Sequence, residues 1–337
     1  MPKQFGAFGD AIRNEDTINA DEISVQDFSD IPELGSPVRT TPILKGWSED
    51  KKYCVYGKNG EKYLLRISPM MRYEHCKSLF EMQKQVANLN VPMCKPIAFG
   101  VCTQGVYSLQ SWIEGTDLQD VLAQYSDAEQ YVLGVQSGKF LKKIHQIPAP
   151  GSQPAWDERF GTKTDMKIKK YKACGLRFDG DECVIAYLEQ HRHLLKDCPQ
   201  CFQHGDYHVG NMMIEDNQLI IIDFDRFDFG DPWEEFNRIV WCAAESPHFA
   251  TGQLHGYFDG APPMAFFKCL AFYIASNTLS SIYWAIPFGQ NEIDTMMQQS
   301  QDVLAWYDNM KNPVPSWYLK DFSDAWHDAA SDKPNAS

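Results

Sequence analysis

The sequence has no apolar run long and clean enough to read as a membrane span. Its longest, residues 264–286, is interrupted by Lys268, Ser276, Asn277, Thr278, Ser280 and Ser281. A bilayer interior tolerates such polar breaks poorly, so a buried core helix is expected there. Positive charge is also scarce. The 31 Lys and Arg stand against 45 Asp and Glu, a net charge of −14, which argues against a nucleic-acid partner and suits a cationic small-molecule ligand. Residues 1–30 are polar and hold no apolar segment of the secretory type, so a cytoplasmic protein with reduced thiols is expected. There is no G-x-x-x-x-G-K-[ST] and no G-x-G-x-x-G, so a Walker-type nucleotide site is excluded. Only one C-x-x-C occurs, Cys198-Pro-Gln-Cys201, with His191, His193 and His204 nearby. Two thiolates and two imidazoles could hold zinc, but the histidine spacing is not that of a finger and no second pair exists.

What is present is apolar material for a large core: 337 residues, 44% hydrophobic and 13% aromatic, enough for two lobes. Residues 1–30 read as a flexible extension and 328–337 as a frayed tail. Between 31 and 112 the order is β-β-β-α-β-β. Strands are expected at 43–46, 52–56, 62–67, 95–100 and 106–110, with a Gly57-Lys58-Asn59-Gly60 hairpin turn and a helix at 72–89. Residues 113–327 read as mostly helical. Ser126 to Glu129 forms a capping box opening a helix to about 145, and further helices are expected at 181–195, after Asp231-Pro232, from 263, and at 293–307. The fold class is α+β, with a small mixed-sheet N-lobe and a larger helical C-lobe.

The chemistry concentrates in His204-Gly205-Asp206-Tyr207-His208-Val209-Gly210-Asn211. Met212 to Ile214, a polar turn at 215–218, and Leu219 to Ile222 follow, delivering Asp223-Phe224-Asp225. Two apolar strands about a short turn make a hairpin. Pairing Ile214 with Leu219 places Asn211 opposite Ile222 and Gly210 opposite Asp223. Asn211 and Asp223 are then diagonal neighbours, about 7–8 Å apart at Cα. An amide oxygen and a carboxylate at that spacing are hard ligands of the kind Mg²⁺ takes alongside phosphates. Asp206, five residues before Asn211, adds a third acceptor. Metal ligands plus one residue to align a hydroxyl is what phosphoryl transfer asks of a protein.

H-G-D-Y-H-V-G-N followed by I-I-D-F-D resembles the aminoglycoside phosphotransferase family, relatives of choline kinases and, more distantly, of protein kinases. The order of elements agrees over about residues 43–318. The resemblance implies a bilobal protein-kinase-like fold using ATP or GTP with Mg²⁺. Asp206 is then the catalytic aspartate, Asn211 and Asp223 are metal ligands, His204 fixes the loop and His208 shares it. Lys62-Tyr-Leu-Leu-Arg66-Ile67 resembles the family's third strand, with Arg66 at the phosphate-holding position and Lys62 as the alternative. Its acidic partner on the following helix would be Glu81 or Glu74. Gly46-Trp-Ser48-Glu-Asp50 stands in for the glycine-rich loop, with Ser48 on phosphate, and the backbone of Ser111 and Ile113 would read adenine. The acidic, aromatic stretch after Asp223 borders the acceptor pocket in that family, so Asp228, Asp231, Glu234 and Glu235 are the expected substrate carboxylates. The implied acceptor is an aminoglycoside or similar cationic antibiotic. A metabolite kinase acting on choline, a sugar or an amino alcohol, and an inactive nucleotide-binding regulator, are the alternatives.

Overall fold

A computed structural model describes residues 28–34, 39–44, 50–57 and 60–322. The chain divides into two compact units after Glu114.

The first unit holds β1 (Arg39–Ile43), β2 (Lys51–Tyr56), β3 (Lys62–Ser68), α1 (Tyr73–Asn88), β4 (Pro96–Cys102) and β5 (Gly105–Ser111). They form one sheet in the order β1-β2-β3-β5-β4. Every pairing is antiparallel. The first strand lies upstream of its expected position at 43–46. It carries Pro42, which the ladder accepts because β1 is an edge. α1 buries Cys76, Leu79, Met82, Gln83 and Val86 along one stripe. It ends where Asn90 takes a left-handed φ of 54° ahead of Pro92.

The expected flexible extension needs correction at its end. Phe28, Ile31 and Leu34 are buried in one cluster with Tyr53, Val55, Leu65, Ile67 and Leu109. The Phe28 ring meets Tyr53 edge-on at 5.2 Å. Asp30 accepts the Thr103 N–H at 2.6 Å, and Glu33 accepts the Tyr107 hydroxyl at 3.0 Å. Three apolar residues spaced by three fold onto the sheet face that these strands present, a burial that outweighs the polarity between them. Residues 1–27 and 328–337 lie outside the described residues.

The second unit comprises β6 (Thr116–Asp117), α2 (Leu118–Val121), α3 (Asp127–Ile144), α4 (Trp156–Ala173), α5 (Asp181–Gln190), β7 (Cys201–Gln203), β8 (Met212–Glu215), β9 (Gln218–Ile221), β10 (Asp228–Gly230), α6 (Ile239–Glu245), α7 (Pro247–Phe258), α8 (Met264–Ala285) and α9 (Gln290–Trp306). The capping box forms: the Ser126 hydroxyl accepts the Glu129 N–H at 3.4 Å, and Glu129 accepts the Ser126 N–H at 2.9 Å. α5 stops short of 195 and gives way to a 3₁₀ turn, and the segment after Pro232 is also 3₁₀ (Glu234–Arg238). Helices α3 and α7 meet along two G-x-x-x-G faces. A Cβ on Gly134 would sit 2.1 Å from the Phe249 carbonyl, and one on Gly256 2.1 Å from that of Val135. Only glycine permits that approach. α8 is long and apolar enough to cross a bilayer, but most of its residues are buried against protein. It is the expected core helix, packed against α4, α5 and α9.

Candidate active site

In the second unit β8 and β9 pair with Ile214 opposite Leu219 and Glu215 opposite Gln218. The connecting Asp216 and Asn217 both have positive φ, 49° and 61°, the geometry of a two-residue hairpin turn whose twist matches the strands. The register carries past the strand ends, where the Ile222 N–H donates to the Asn211 carbonyl at 3.0 Å. Asp223 then takes a left-handed φ of 61° and turns the chain out of the hairpin, leaving its side chain exposed.

His204 ties this end to the preceding loop. It is fully buried; Nδ1 accepts the Asp206 N–H at 3.3 Å and Nε2–H donates to the Ile222 carbonyl at 2.9 Å. Those two bonds require the neutral ring, and burial lowers its pKa accordingly. Gly205 has φ 85°, and a Cβ there would lie 1.9 Å from the Arg226 carbonyl, so the loop passes flush over the chain beyond Asp223. Asn211 Nδ2 donates to the Asp206 carbonyl at 2.9 Å. The anchored nitrogen makes Oδ1 the end able to ligate a cation. With exposed Asp223 beside it, the donor set fits a hard ion that keeps most of its ligands from phosphate and water. Among the described residues no group of three or more His, Cys, Asp or Glu is placed to hold a metal.

The Asp206 carboxylate faces Arg238 Nε at 3.2 Å, His208 Nε2 at 3.6 Å and Arg226 Nη1 at 3.7 Å. Burial alone would raise its pKa. The His208 contact and the Arg238 and Arg226 charges outweigh that and hold it well below the usual carboxylate range. Neither arginine was marked by the sequence pattern, although Arg226 directly follows Asp223-Phe224-Asp225.

The expected substrate carboxylates are committed elsewhere. Glu235 is buried and accepts the Gly205 N–H at 3.0 Å, so it anchors the catalytic loop. Asp231 is buried, accepting the Tyr273 hydroxyl at 2.5 Å and the Trp233 N–H at 3.0 Å, and burial raises its pKa. Glu234, raised by burial too, accepts from Gln203 at 3.1 Å and Asn237 at 3.3 Å. Asp228 forms a two-oxygen ion pair with Arg159. These corrections share one cause. The chain bends sharply after β9, and its carboxylates satisfy donors that would otherwise be buried without partners.

In the first unit Arg66 reaches inward from β3, and its Nε donates to the Asp50 carboxylate. Arg72 Nη1 meets the same group at 3.0 and 3.2 Å. The Asp50 side chain is completely buried; burial would raise its pKa, but Arg66, then the Ser68 hydrogen bond and Arg72, outweigh it and lower it. The acidic partner of Arg66 is therefore Asp50, not Glu81 or Glu74. Both glutamates are exposed, and Glu81 pairs with Lys84 at 3.2 Å. The α1 register turns Gln83 inward instead, where it accepts from Gln110 at 3.5 Å. Lys62 pairs with Glu114. The Ser111 N–H donates to the Lys95 carbonyl at 2.9 Å. Ile113 lies just past the end of β5, half-buried. Ser48 lies outside the described residues. Cys201 is buried on β7, and the Cys198 thiol contacts the Leu194 carbonyl at 3.3 Å.

A model of the phosphotransferase enzyme family matches residues 39–267. Among solved structures, a thermostable mutant of aminoglycoside phosphotransferase APH(4)-Ia in ternary complex with ADP and hygromycin B is similar, with TM-score 0.60 and 17% identity. The match covers 81% of this chain and 96% of that one. The gentamicin complex of APH(2")-IIa aligns with TM-score 0.60 and 18% identity over 81% and 94% of the two chains. Amicoumacin kinase hAmiN with AMP-PNP, Ca²⁺ and Ami aligns with TM-score 0.59 and 14% identity over 84% and 90%. No curated protein matches the sequence significantly. The kinase-like fold and the family match agree with the loop and hairpin just described: the chain belongs to the phosphotransferase enzyme family and is a small-molecule kinase.

Proposed function

We propose that this protein is a cytoplasmic O-kinase that transfers the γ-phosphate of ATP or GTP to a hydroxyl of a small molecule, with Asp206 aligning the hydroxyl. The observation that carries the reading is the bridging of Asp206 to the Asn211–Asp223 hairpin by His204. Solved relatives that hold ADP and AMP-PNP support nucleotide use.

Asn211 Oδ1 and the Asp223 carboxylate would hold Mg²⁺, which would supply charge neutralisation on the phosphates. Asp206, kept ionised by Arg238 and His208, accepts a hydrogen bond from the acceptor hydroxyl and aims its oxygen lone pair. As a weak base, it takes the proton only as the oxygen–phosphorus bond forms. Arg66, fixed by Asp50, is the candidate for holding the nucleotide phosphates.

For the acceptor, an aminoglycoside or similar antibiotic, and hence a resistance role, draws support from relatives bound to hygromycin B and gentamicin. The metabolite-kinase alternative is favoured by one observation here: the carboxylates after Asp223 are engaged within the protein. An inactive regulator would have no use for this catalytic geometry. The test is Asp206→Ala in a coupled assay of nucleotide consumption. Turnover should fall roughly 10²–10⁴-fold while Mg·ATP binding persists. Retention of more than about a tenth of wild-type kcat would overturn the assignment.

A further inference from the structure

We infer, building on the kinase reading above, that the acceptor carries an anionic group, a carboxylate or a phosphate, bound by Arg226 and Arg238. The two guanidiniums lie 3.7 and 3.2 Å from the Asp206 carboxylate, against the position the reacting hydroxyl must take. Arg226 is 46% exposed and Arg238 23%. Neither contact to Asp206 has hydrogen-bond geometry, and Arg238 Nε is buried with no hydrogen bond of its own. Each guanidinium carries five N–H donors in a planar fork that matches two anionic oxygens. Asp206 occupies one nitrogen of each.

The surroundings reinforce the sign. Arg159, Lys163 and Lys167 recur every four residues along α4 and so share a face. Arg159 is consumed by Asp228. Lys163 and Lys167 lie within electrostatic reach of Glu234, and Lys167 of Arg238 as well. Burial, with the Lys163 and Arg238 charges, pushes the Lys167 ammonium down to about 7, as expected where cations are gathered without enough counter-charge. Arg226 and Arg238 thus stand at Asp206, with Lys163 and Lys167 near Glu234, in a chain whose net charge is −14. Among the nearby carboxylates, Glu235 is turned to the Gly205 N–H, Asp231 to Tyr273 and Trp233, and Asp228 to Arg159. An anion at this spot would gain a charge-assisted fork from the two guanidiniums. Because the guanidiniums sit so near Asp206, the anionic group and the reacting hydroxyl must lie only a few bonds apart. That describes short hydroxy acids and phosphorylated sugars or polyols.

The test uses the full chain with Mg·ATP and sets of acceptors that differ in charge: glycerol, glycerate and glycerol 3-phosphate; glucose, gluconate and glucose 6-phosphate; ethanolamine and kanamycin as cations. Turnover is followed by ADP release, and binding by calorimetry in the presence of Mg·AMP-PNP. The anionic member of a set should exceed its neutral partner roughly tenfold or more in kcat/KM, as loss of a charged hydrogen bond implies. The carboxylate and phosphate arms show which anion is meant. Arg226→Gln should raise the KM for that acceptor by a similar factor and leave the KM for ATP within about twofold. Lys163→Gln, away from the Asp206 contact, should do the same more weakly, which covers the case where an arginine variant fails to fold. Preference for a cationic acceptor with KM indifferent to these changes, or no anion bound at all, overturns the inference while leaving the kinase reading intact. Anions that bind through Arg226 but are never phosphorylated would likewise overturn the inference that the acceptor is the anion, and leave the kinase reading intact.

Discussion

His204 donates its Nε2–H to the Ile222 carbonyl at 2.9 Å, and the same ring accepts the Asp206 N–H at 3.3 Å. One buried imidazole therefore sets the distance between the catalytic loop and the strand that delivers Asp223. Protonation would destroy the Nδ1 acceptor and place a charge in a fully buried site.

The pH dependence follows from that. The folded pKa of His204 is depressed, so the unfolded chain takes up a proton near pH 6.5 that the folded chain resists. Stability should fall as pH drops below about 6.5. His204→Gln should be less stable at pH 8 by about 1–3 kcal/mol, since a buried donor or acceptor loses its partner, and its loss between pH 7 and 5.5 should be shallower than in the wild type. Thermal unfolding across that range checks it. Parallel curves would show that His204 is not the titrating group.

Asp50 makes a second prediction, in the first unit. Asp50→Asn removes the buried carboxylate that Arg66 and Arg72 share, a change that costs about 3–5 kcal/mol when a buried pair is broken. Glu81→Gln, at an exposed i,i+3 pair, should stay within about 0.5 kcal/mol of the wild type and leave the KM for ATP unchanged. Because the Asp50 pKa is lowered in the fold, its contribution is complete above about pH 4 and fades as pH falls below that. Urea denaturation of both variants at pH 7 separates them, and equal effects would restore Glu81 as the partner.

What could be read from the sequence was local. Pairing Ile214 with Leu219 carried the register by alternation to Asn211 and Ile222, and the Ser126–Glu129 box announced α3 from four residues. Most of what was missed depends on contacts between residues distant in sequence. Asp231 finds Tyr273 42 residues away and Asp228 finds Arg159 69 residues away, and no spacing rule connects such positions. Glu81 failed for a subtler reason. It lies two positions from Gln83, a rotation of more than half a turn on a helix, and a buried polar glutamine breaks no apolar stripe visibly. Helix α4, which no pattern singled out, hides its stripe of Trp156, Phe160, Thr164, Ile168 and Tyr171 among lysines.

Asp223→Ala tests the metal assignment. Asn211 offers one neutral oxygen, too little to hold a divalent cation without the carboxylate. Mg·ATP affinity measured by calorimetry should collapse toward that of metal-free ATP, whereas Asp206→Ala should leave it nearly unchanged. Equal affinities in wild type and Asp223→Ala would remove Asp223 from the site.

Glu235 separates a scaffold from a binding role at the same carboxylate. It is buried, takes the Gly205 N–H at 3.0 Å, and lies 3.7 Å from His145 Nε2, whose ring bonds the Tyr257 hydroxyl at 2.8 Å through Nδ1. A carboxylate placed this way positions the turn before Asp206 and cannot reach an acceptor. Glu235→Leu keeps bulk but leaves the Gly205 N–H unpaired, at about 1–3 kcal/mol, and lets the loop shift. A displacement of the aligning carboxylate of about 1 Å is worth roughly 10²-fold in rate. The variant should therefore lose kcat steeply with a small change in acceptor KM, while Glu235→Gln, which retains an acceptor oxygen, should recover much of the rate. Had Glu235 bound a cationic acceptor, the split would run the other way: KM would rise with kcat held, and the salt dependence of KM would flatten. Steady-state kinetics of the two variants at low and high salt distinguishes these patterns, and the second would return Glu235 to the acceptor site.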